Sequence, residues 1–211
     1  LTNPNTWPSG VFVRLIIEAG AVVAGRGGDG GDGVGSFTGY GTPSTAGEKG
    51  GSAMFVQYYL SVNNLGIIGA GGGGGGGGGF TIVQIHSSPD MYEANTSGGG
   101  GGGGAGIGVG GVTGEFLGTS APNGSAGGNA IGGAGADGVS GTSSGGNGNG
   151  HDSRGGMGGS LGQDGEQGYP LLTIPTVSIA GSAGGQCGDY AVNGNSYITW
   201  TATGTIYGAI I

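Results

Sequence analysis

Basic residues are scarce in this chain. Four Lys and Arg side chains stand against twelve Asp and Glu side chains, which gives a formal net charge of −8. Affinity for nucleic acid comes mainly from Lys and Arg side chains that neutralise phosphates, so this balance excludes an ordinary phosphate-binding surface. It also argues against binding to anionic membrane surfaces.

Cysteine and histidine are rare as well. Cys187 stands alone, which excludes an internal disulfide framework and a cysteine-based zinc cluster. His86 and His151 are the only histidines, and neither has a partner at ligand spacing, so we expect no metal and no cofactor. The sequence contains no run of about 18 apolar residues, so it predicts no membrane-spanning helix.

Motifs for catalysis are also missing. No GxSxG nucleophile elbow is predicted, because such an elbow requires a strand-to-helix turn, and the many GxGxxG-type matches are expected by chance at this glycine content. A slab of glycine backbone offers few side chains to line a pocket that would hold perturbed acids or bases. We therefore expect a binding protein and not an enzyme.

Two segments satisfy the calcium nonapeptide pattern GGxGxDxUx: Gly27–Gly35 and Gly132–Ser140. A calcium β-roll needs consecutive nonapeptides, because each ion lies between stacked turns. The neighbouring nonapeptides fail the pattern. Calcium at Asp29, Asp32 or Asp137 is therefore a minor alternative, which a circular dichroism spectrum recorded with and without chelator would test.

Glycine is what the chain has in excess, with 64 of 211 residues against about 7% in an average protein. Gly71–Gly79 and Gly98–Gly104 are unbroken runs, and elsewhere glycine recurs at every third position, as in Gly156, Gly159, Gly162, Gly165 and Gly168. A period of three fits neither an α-helix nor a β-strand, but it matches the polyproline II conformation. Collagen is disfavoured because the rows break early and contain no Pro.

These rows predict a sandwich of packed polyglycine II helices. Such helices have no internal hydrogen bonds, so their N–H and C=O groups must pair with neighbouring helices. A helix surrounded on all sides needs glycine on all three rows, which predicts that Gly71–Gly79 and Gly98–Gly104 are central. Gly25–Gly35 is predicted to lie on a flank, with Arg26, Asp29 and Asp32 facing water. Gly156–Gly168 is predicted to be one outer helix, with Asp164 and Glu166 in water and Met157 or Leu161 covering a neighbour.

The predicted fold class is all-β-like, with flanking β-strands and no significant α-helix. Val11–Ala24, Ala53–Val62 and Phe80–His86 are rich in β-branched and aromatic residues and predict strands. Tyr190–Ile211 predicts a C-terminal β-hairpin turning at Asn193-Gly194. We divide the chain into an N-terminal linker and strand (1–24), the polyglycine II sandwich (25–188) and the hairpin (189–211).

Polar, irregular segments connect the glycine runs: Ser36–Ala46, Ser87–Ser97, Val112–Asn123 and Thr142–Arg154. Recognition residues concentrate on loops held by a rigid scaffold, and exposed aromatic residues among Ser, Gly and Asn are typical of a paratope. Ordinary solvated connectors are the alternative for any one loop. The candidate receptor-binding residues are Phe37, Tyr40, Pro43, Pro89, Asp90, Met91, Tyr92, Glu93, Asn147, Asn149, His151 and Asp152.

Three segments carry a resemblance to a known family. Ile16–Gly28 (IIEAGAVVAGRGG), Leu60–Gly79 (LSVNNLGIIGA followed by nine Gly) and Tyr197–Ile210 (YITWTATGTIYGAI) resemble the glycine-rich domain of phage tail-fibre tip adhesins. That family includes the distal adhesins on long tail fibres of T-even-like phages and similar domains of siphophage tail-tip proteins. The resemblance implies a polyglycine II sandwich at the distal tip of the virion's tail fibre, with loops that bind a porin-like outer-membrane protein of a Gram-negative host.

The family also implies a tail-fibre protein as a partner, through a separate N-terminal attachment domain. Only Leu1–Gly10 precede the first predicted strand, which is compatible with a processed product or with the C-terminal portion of a longer fibre protein. If each segment crosses the sandwich once, the loops Ser36–Ala46, His86–Ser97 and Thr142–Arg154 are distal and Val112–Asn123 is proximal. The alternative function is an ice-binding polyglycine II bundle, which a thermal-hysteresis measurement would separate from an adhesin.

Overall fold

The computed structural model describes residues 12–33, 43–79, 100–112, 123–129, 154–169 and 181–211, together with the backbone of strands in residues 80–87, 90–97, 115–116, 119–120, 139–142 and 178–179. These residues contain no α-helix, as predicted, and one short 3-10 turn at Asn195–Tyr197. The described fold is therefore built from strands and extended glycine-rich segments.

The strands are short, and most lie at the two ends of the glycine-rich segments. They are β1 (Val13–Ile17), β2 (Val22–Ala24), β3 (Met54–Phe55), β4 (Leu60–Asn64), β5 (Ile67–Gly69), β6 (Phe80–Ser87), β7 (Asp90–Ser97), β8 (Glu115–Phe116), β9 (Thr119–Ser120), β10 (Val139–Thr142), β11 (Ser178–Ile179), β12 (Val192–Asn193), β13 (Ile198–Ala202) and β14 (Thr205–Tyr207).

Three strand–turn–strand units, β1–β2, β4–β5 and β13–β14, stack on one another in parallel. We call this unit the β-corner stack. Leu60 at the start of β4 pairs with Val13 of β1 on one side and with Ile198 of β13 on the other. Beyond the turn, β5 pairs in parallel with β2 and with β14. The predicted single strand Val11–Ala24 is thus two strands, separated by a turn where Gly20 has φ 84°.

The hydrophobic core lies inside the β-corner stack. Alternate residues of β4 point inward, so that Leu60, Val62 and Asn64 are buried. Ile68 of β5 is fully buried as well, and Trp200 of β13 packs against both apolar clusters of the stack. Each fully buried aliphatic side chain stabilises the fold by about 1.5–3 kcal/mol, so this small core anchors one end of a chain that is poor in large apolar residues.

The predicted C-terminal hairpin is wrong. β12 pairs in parallel with β3, and β13 pairs in parallel with β4, so these two strands do not pair with each other. Gly194 has the positive φ that the turn signal predicted, but the chain continues into the 3-10 turn and does not fold back. Pairing with β4 places Ile198 and Trp200 against the core, whereas an isolated two-stranded hairpin is marginal in water.

The central glycine run is hydrogen-bonded in three directions. Successive N–H groups of residues 71–77 donate in turn to three neighbouring segments, residues 45–51, 102–105 and 163–166, and then return to the first. Residues three apart therefore face the same neighbour. The donor–acceptor pairs are Gly71–Gly51, Gly74–Glu48 and Gly77–Thr45, then Gly72–Ala105 and Gly75–Gly102, and finally Gly73–Gln163 and Gly76–Glu166.

This three-residue repeat is the pattern that packed polyglycine II helices require, and we interpret the segments in that way. We call them the glycine lattice. Its described segments are residues 25–33, 45–51, 71–77, 101–105, 108–112, 124–127, 155–160, 163–168 and 181–188. The central placement of 71–79 and 100–104 agrees with their complete burial. Arg26 and Asp32 are exposed and Asp29 is half-buried, as expected for a flank segment.

The row from Gly156 to Gly168 is not one helix, contrary to the prediction. The chain turns at Leu161 and at Gly162, where φ is 69°, and residues 163–168 run back beside 155–160. The turn keeps glycine in phase on both sides, so the period alone did not show it. Leu161 is buried against Gly69, and Met157 is 47% exposed. Asp164 and Glu166 are exposed, as predicted.

Candidate binding surface

The described segments of the glycine lattice meet at one end where the chain repeatedly leaves and returns. We call this the loop end. The chain leaves it after residues 33, 79, 112 and 169 and returns at residues 43, 100, 123, 154 and 181. Main-chain hydrogen bonds hold these points together: Gly33–Val112, Thr45–Asp32, Gly77–Thr45, Ser182–Gly77, Gly168–Ser182, Tyr169–Arg154 and Gly124–Gly111.

The opposite end carries the β-corner stack and two tight turns, and we call it the β-corner end. One turn is at 105–107, where Gly106 and Ile107 have φ of 92° and 67°. The other is the turn at Gly162, whose N–H donates to Ala70 at the start of the central run. In the described part of the chain, the connections at this end are compact turns or packed strands, in contrast to the longer connections of the loop end.

The turn at 105–107 corrects the predicted topology. Gly98–Gly111 is not a single crossing, because residues 101–105 run antiparallel to residues 108–112, with Gly108 and Gly111 donating to Gly104 and Gly101. Because of this additional crossing, both ends of the segment Val112–Asn123 lie at the loop end. The prediction had placed this segment at the opposite end from the other three loops. The residues that flank 170–180 also lie at the loop end. The sequence prediction did not include this segment among the loops.

Several described strands continue the chain beyond the loop end. β6 follows Gly79 directly and pairs with β7 as an antiparallel hairpin in which Ser87 faces Asp90. β10 extends this sheet beside residues 94–97 of β7, and β11 extends it beside Phe80 and Thr81. The sheet order is β10-β7-β6-β11, and β8 and β9 form a separate two-stranded sheet.

The candidate residues are described to different extents. Pro43 is exposed at the loop end. Asp90, Met91, Tyr92 and Glu93 form the first half of β7, opposite Ser87, His86, Ile85 and Gln84, and only their backbone is described. The others lie outside the described residues: Phe37, Tyr40, Pro89, Asn147, Asn149, His151 and Asp152.

Side chains of the exposed rows tie neighbouring lattice segments together, and sequence reasoning missed this role. The Oδ1 atoms of Asp29 and Asp32 accept hydrogen bonds from the N–H groups of Val109 and Val112 at 2.9 and 2.8 Å. Each carboxylate oxygen takes the place of the carbonyl oxygen that a neighbouring segment would supply inside the lattice. The signal in the sequence is Asp at a three-residue spacing, which predicts a water-facing row and also fits the calcium nonapeptide pattern.

Two further contacts fix points where the chain returns. The guanidinium of Arg154 lies 4.0 Å from the centre of the Tyr169 ring, a cation–π contact between a return point and an exit point. The hydroxyls of Ser44 and Ser182 are hydrogen-bonded at 2.8 Å. The loops therefore start from positions that are fixed by main-chain and side-chain contacts.

Three observations on the described residues concern metal binding, thiol chemistry and membrane spans. No group of three or more His, Cys, Asp or Glu in these parts of the chain is arranged to hold a metal ion. Burial raises the pKa of the Cys187 thiol, and the neighbouring Asp164 carboxylate raises it further. Within the same residues, no helical segment has the length and hydropathy that a membrane span requires.

The family model of the phage tail fibre adhesin Gp38 matches residues 1–211. The chain belongs to this family. Among solved structures, this adhesin is similar to one chain of the crystal structure of the gp37–gp38 adhesin tip complex of the bacteriophage S16 long tail fibre, with 27% sequence identity and a TM-score of 0.51. The match covers 95% of this chain and 59% of that chain. No curated protein matches the chain significantly.

The comparisons confirm the resemblance and the non-helical fold that the glycine-rich sequence predicted. They identify a phage tail-fibre adhesin, a component of the virion at the distal part of the tail fibre. The adhesin spans 59% of the length of the similar solved chain.

Proposed function

We propose that this adhesin recognises the host cell through its loop end, by binding an outer-membrane protein of a bacterium and so mediating adsorption of the phage. One observation carries the proposal. Four exit points and five return points of the described lattice lie at a single end, so the segments 34–42, 80–99, 113–122 and 170–180 start and finish at one surface.

The glycine lattice suits this role because it is rigid and offers few side chains of its own. Its interior contacts are main-chain hydrogen bonds, and a Cβ at most of its glycines would overlap a neighbouring carbonyl. Loops that start from such a platform lose less conformational entropy on binding than loops on a mobile support. Recognition is then assigned to side chains beyond the lattice, where sequence can change without disturbing the fold.

The hairpin β6–β7 is the leading candidate for contact with the receptor. Its eight-residue strands, at a rise of about 3.3 Å per residue, reach roughly 26 Å from Gly79 if they continue straight. The proposed contact residues Asp90, Met91, Tyr92 and Glu93 lie in the half of β7 next to the hairpin turn. Tyr and Met are residue types enriched in protein interfaces, which supports a protein receptor over a nucleic acid or a phosphate-rich surface.

A tail-fibre protein is the second proposed partner. The similar solved structure is a complex of two tail-fibre proteins, gp37 and gp38. We propose that the present adhesin is likewise carried by a fibre protein, on a surface away from the loop end, so that both partners bind at once.

An exchange of residues 86–97 tests the receptor assignment. This segment is replaced in the phage by the corresponding segment of a relative that infects a different host, and adsorption to both hosts is measured. We expect adsorption to follow the exchanged segment, with at least a tenfold loss on the original host. The melting temperature of the isolated adhesin should change by less than about 4 °C, which corresponds to at most about 2 kcal/mol.

A matched control places changes on the β-corner stack. Thr199 and Thr201 are exposed residues of β13, and changing both to Ser should leave adsorption at the level of the unmodified phage. Adsorption that is unchanged after the exchange of residues 86–97 would remove the hairpin from the receptor-binding surface.

A further inference from the structure

Two segments that leave the lattice at different points meet at the loop end. Arg154 is the first described residue after segment 143–153, and Tyr169 is the last one before segment 170–177. The guanidinium of Arg154 lies over the Tyr169 ring, 4.0 Å from its centre, and the Tyr169 N–H donates to the Arg154 carbonyl oxygen at 3.0 Å. A side-chain contact and a main-chain hydrogen bond thus join the same two residues, and we call this pair the Arg154–Tyr169 clamp.

The position of Arg154 is informative because basic side chains are scarce. The chain has four of them: Arg14, Arg26, Lys49 and Arg154. Arg14 lies in β1, and Arg26 and Lys49 form surface ion pairs along the flank of the lattice. Arg154 is the basic residue of the loop end. It lies over an aromatic ring, a contact for which the planar guanidinium is better suited than the ammonium of Lys.

The other ends of the two clamped segments are attached to the sheet that contains the hairpin β6–β7. β10 leads directly into segment 143–153 and pairs with the second half of β7. β11 follows segment 170–177 and pairs with Phe80 and Thr81 of β6. Because the strand order is β10-β7-β6-β11, the two segments join the hairpin at its two opposite edges.

These connections form a closed series. From β10 the chain runs through segment 143–153 to Arg154, and the clamp leads to Tyr169. Segment 170–177 then leads to β11, from which β6 and β7 lead back to β10. The links within the sheet are main-chain hydrogen bonds. The clamp is therefore the link that a single side-chain substitution can weaken.

The lattice fixes the clamp close to the start of the hairpin. The N–H groups of Gly156 and Ser182 donate to the carbonyl oxygens of Gly76 and Gly77, shortly before β6 begins. Gly156 follows Arg154 in the chain, and Ser182 accepts the N–H of the residue before Tyr169. The two clamped residues and the first strand of the hairpin thus start from the same part of the lattice.

We propose that Arg154 and Tyr169 are positioning residues that hold segments 143–153 and 170–180 and the hairpin β6–β7 together as one receptor-binding unit. The inference rests on the proposed function and deepens it, because it adds segment 170–180 to the recognition surface and makes the three parts interdependent. A segment that is fixed at both ends has fewer conformations to lose when it binds. The clamp acts through the segments that it holds and not by contact with the receptor.

The size of the effect distinguishes positioning from contact. A clamp that only favours the binding-competent arrangement cannot change the affinity by more than its own free energy allows. Tyr169 is 40% exposed, and a cation–π contact at such a site supports a change of about fivefold. A residue at the centre of a receptor contact can cost far more when it is truncated.

Hydrogen exchange and host-cell binding of the purified adhesin test the clamp together. Tyr169→Leu removes the face of the ring, so the hydrogen-bonded amides of residues 139–156 should exchange faster, by up to about fivefold, and the affinity for host cells should fall by about the same factor. Tyr169→Phe keeps the ring and should restore both values. Tyr207→Leu, the same substitution at a 45% exposed position of β14, is the matched control and should change neither.

A double-mutant cycle tests whether the two residues act together. Tyr169→Leu combined with Arg154→Ala should bind host cells no worse than Arg154→Ala alone, because the contact is already lost. Additive losses, or a fall of about a hundredfold in Tyr169→Leu, would overturn the assignment, because the residues would then contact the receptor themselves. A lower melting temperature with unchanged affinity would also overturn it, because the clamp would then only stabilise the fold.

The exchange of residues 86–97, measured in parallel, keeps this inference apart from the proposed function. If that exchange abolishes host-cell binding and Tyr169→Leu leaves the affinity unchanged, the clamp assignment fails alone. It also fails alone if Tyr169→Leu leaves the hydrogen exchange of residues 139–156 unchanged. If the exchange of residues 86–97 leaves binding intact, the receptor assignment of the hairpin fails, and the proposed binding unit fails with it.

Discussion

The carbonyl oxygen of Asp29 occupies the position that a side chain on Gly74 would need. Gly74 lies in the central lattice segment and Asp29 in a neighbouring one, so the two backbones touch with no room for a Cβ. Not every lattice glycine is confined in this way. An added Cβ on Gly51 would come no closer than 3.4 Å to its nearest neighbour, the Arg26 nitrogen.

This contrast gives a prediction about stability. Gly74→Ala should lower the free energy of unfolding by more than about 3 kcal/mol or prevent folding, because overpacking against fixed backbone cannot be relieved by a rotamer change. Gly51→Ala should cost less than about 1 kcal/mol. Denaturant titration followed by circular dichroism measures both. Equal effects at the two positions would contradict close packing of the lattice.

Asp32 should act as a side-chain cap for the segment that leads into residues 113–122. Its carboxylate accepts the Val112 N–H at 2.8 Å, near the surface. Asp32→Ala removes that acceptor and should cost about 1 kcal/mol. Asp32→Asn keeps an oxygen at the same position and should cost less than half as much. Thermal unfolding compares the two variants, and an Asn variant as unstable as the Ala variant would assign the effect to charge and not to the hydrogen bond.

Ile107 should be a strained residue whose replacement stabilises the adhesin. Its φ of 67° lies in the left-handed region, which is costly for a β-branched side chain, and that side chain is 67% exposed. Ile107→Asn should raise the free energy of unfolding by about 1 kcal/mol, because Asn tolerates this conformation. Val109→Asn, at a 60% exposed position without positive φ, is the control and should give no gain. Equal changes in both variants would argue against strain.

The Cys187 thiol should react as a poor nucleophile at neutral pH. Burial and the Asp164 carboxylate both raise its pKa, so the thiolate fraction at pH 7 is smaller than that of a free thiol. The alkylation rate, normalised to its plateau at high pH, should therefore rise with a midpoint above the usual value of about 8.5. Asp164→Asn should move the midpoint to lower pH. A midpoint at or below that of a free thiol would contradict the assignment.

The glycine pattern alone predicted the placement of the lattice segments to a useful degree. The three-residue rows identified residues 71–79 as central and placed Arg26 and Asp32 on an exposed flank, because packing of backbone against backbone depends only on where a Cβ is absent. The turns at 105–107 and at Gly162 escaped prediction for the same reason. The row through Gly162 continues in phase on both sides, so the period carries no mark of that reversal, and at 105–107 only the single residues Ala105 and Ile107 interrupt the glycine.

The β-corner stack was predicted only in part, because its pairings are distant in sequence. β13 joins β4 across more than a hundred intervening residues, and no local signal in Tyr190–Ile211 distinguishes that pairing from a hairpin. Asn64 shows the same limit. It reads as a turn residue, yet it is fully buried, donates to the Thr203 carbonyl at 2.6 Å and accepts the Gly66 N–H at 3.0 Å.

Binding of the purified adhesin to host cells, scored by competition with the phage, tests the central claim most directly. The free chain at saturating concentration should slow phage adsorption at least tenfold, and protease treatment of the cells should abolish its binding. A chain in which residues 86–97 are exchanged should no longer compete, whereas the Thr199→Ser, Thr201→Ser variant should compete as well as the unmodified chain. Undiminished competition by the exchanged chain would contradict the claim that the loop end binds the receptor. Binding that survives protease treatment would contradict the claim that the receptor is a protein.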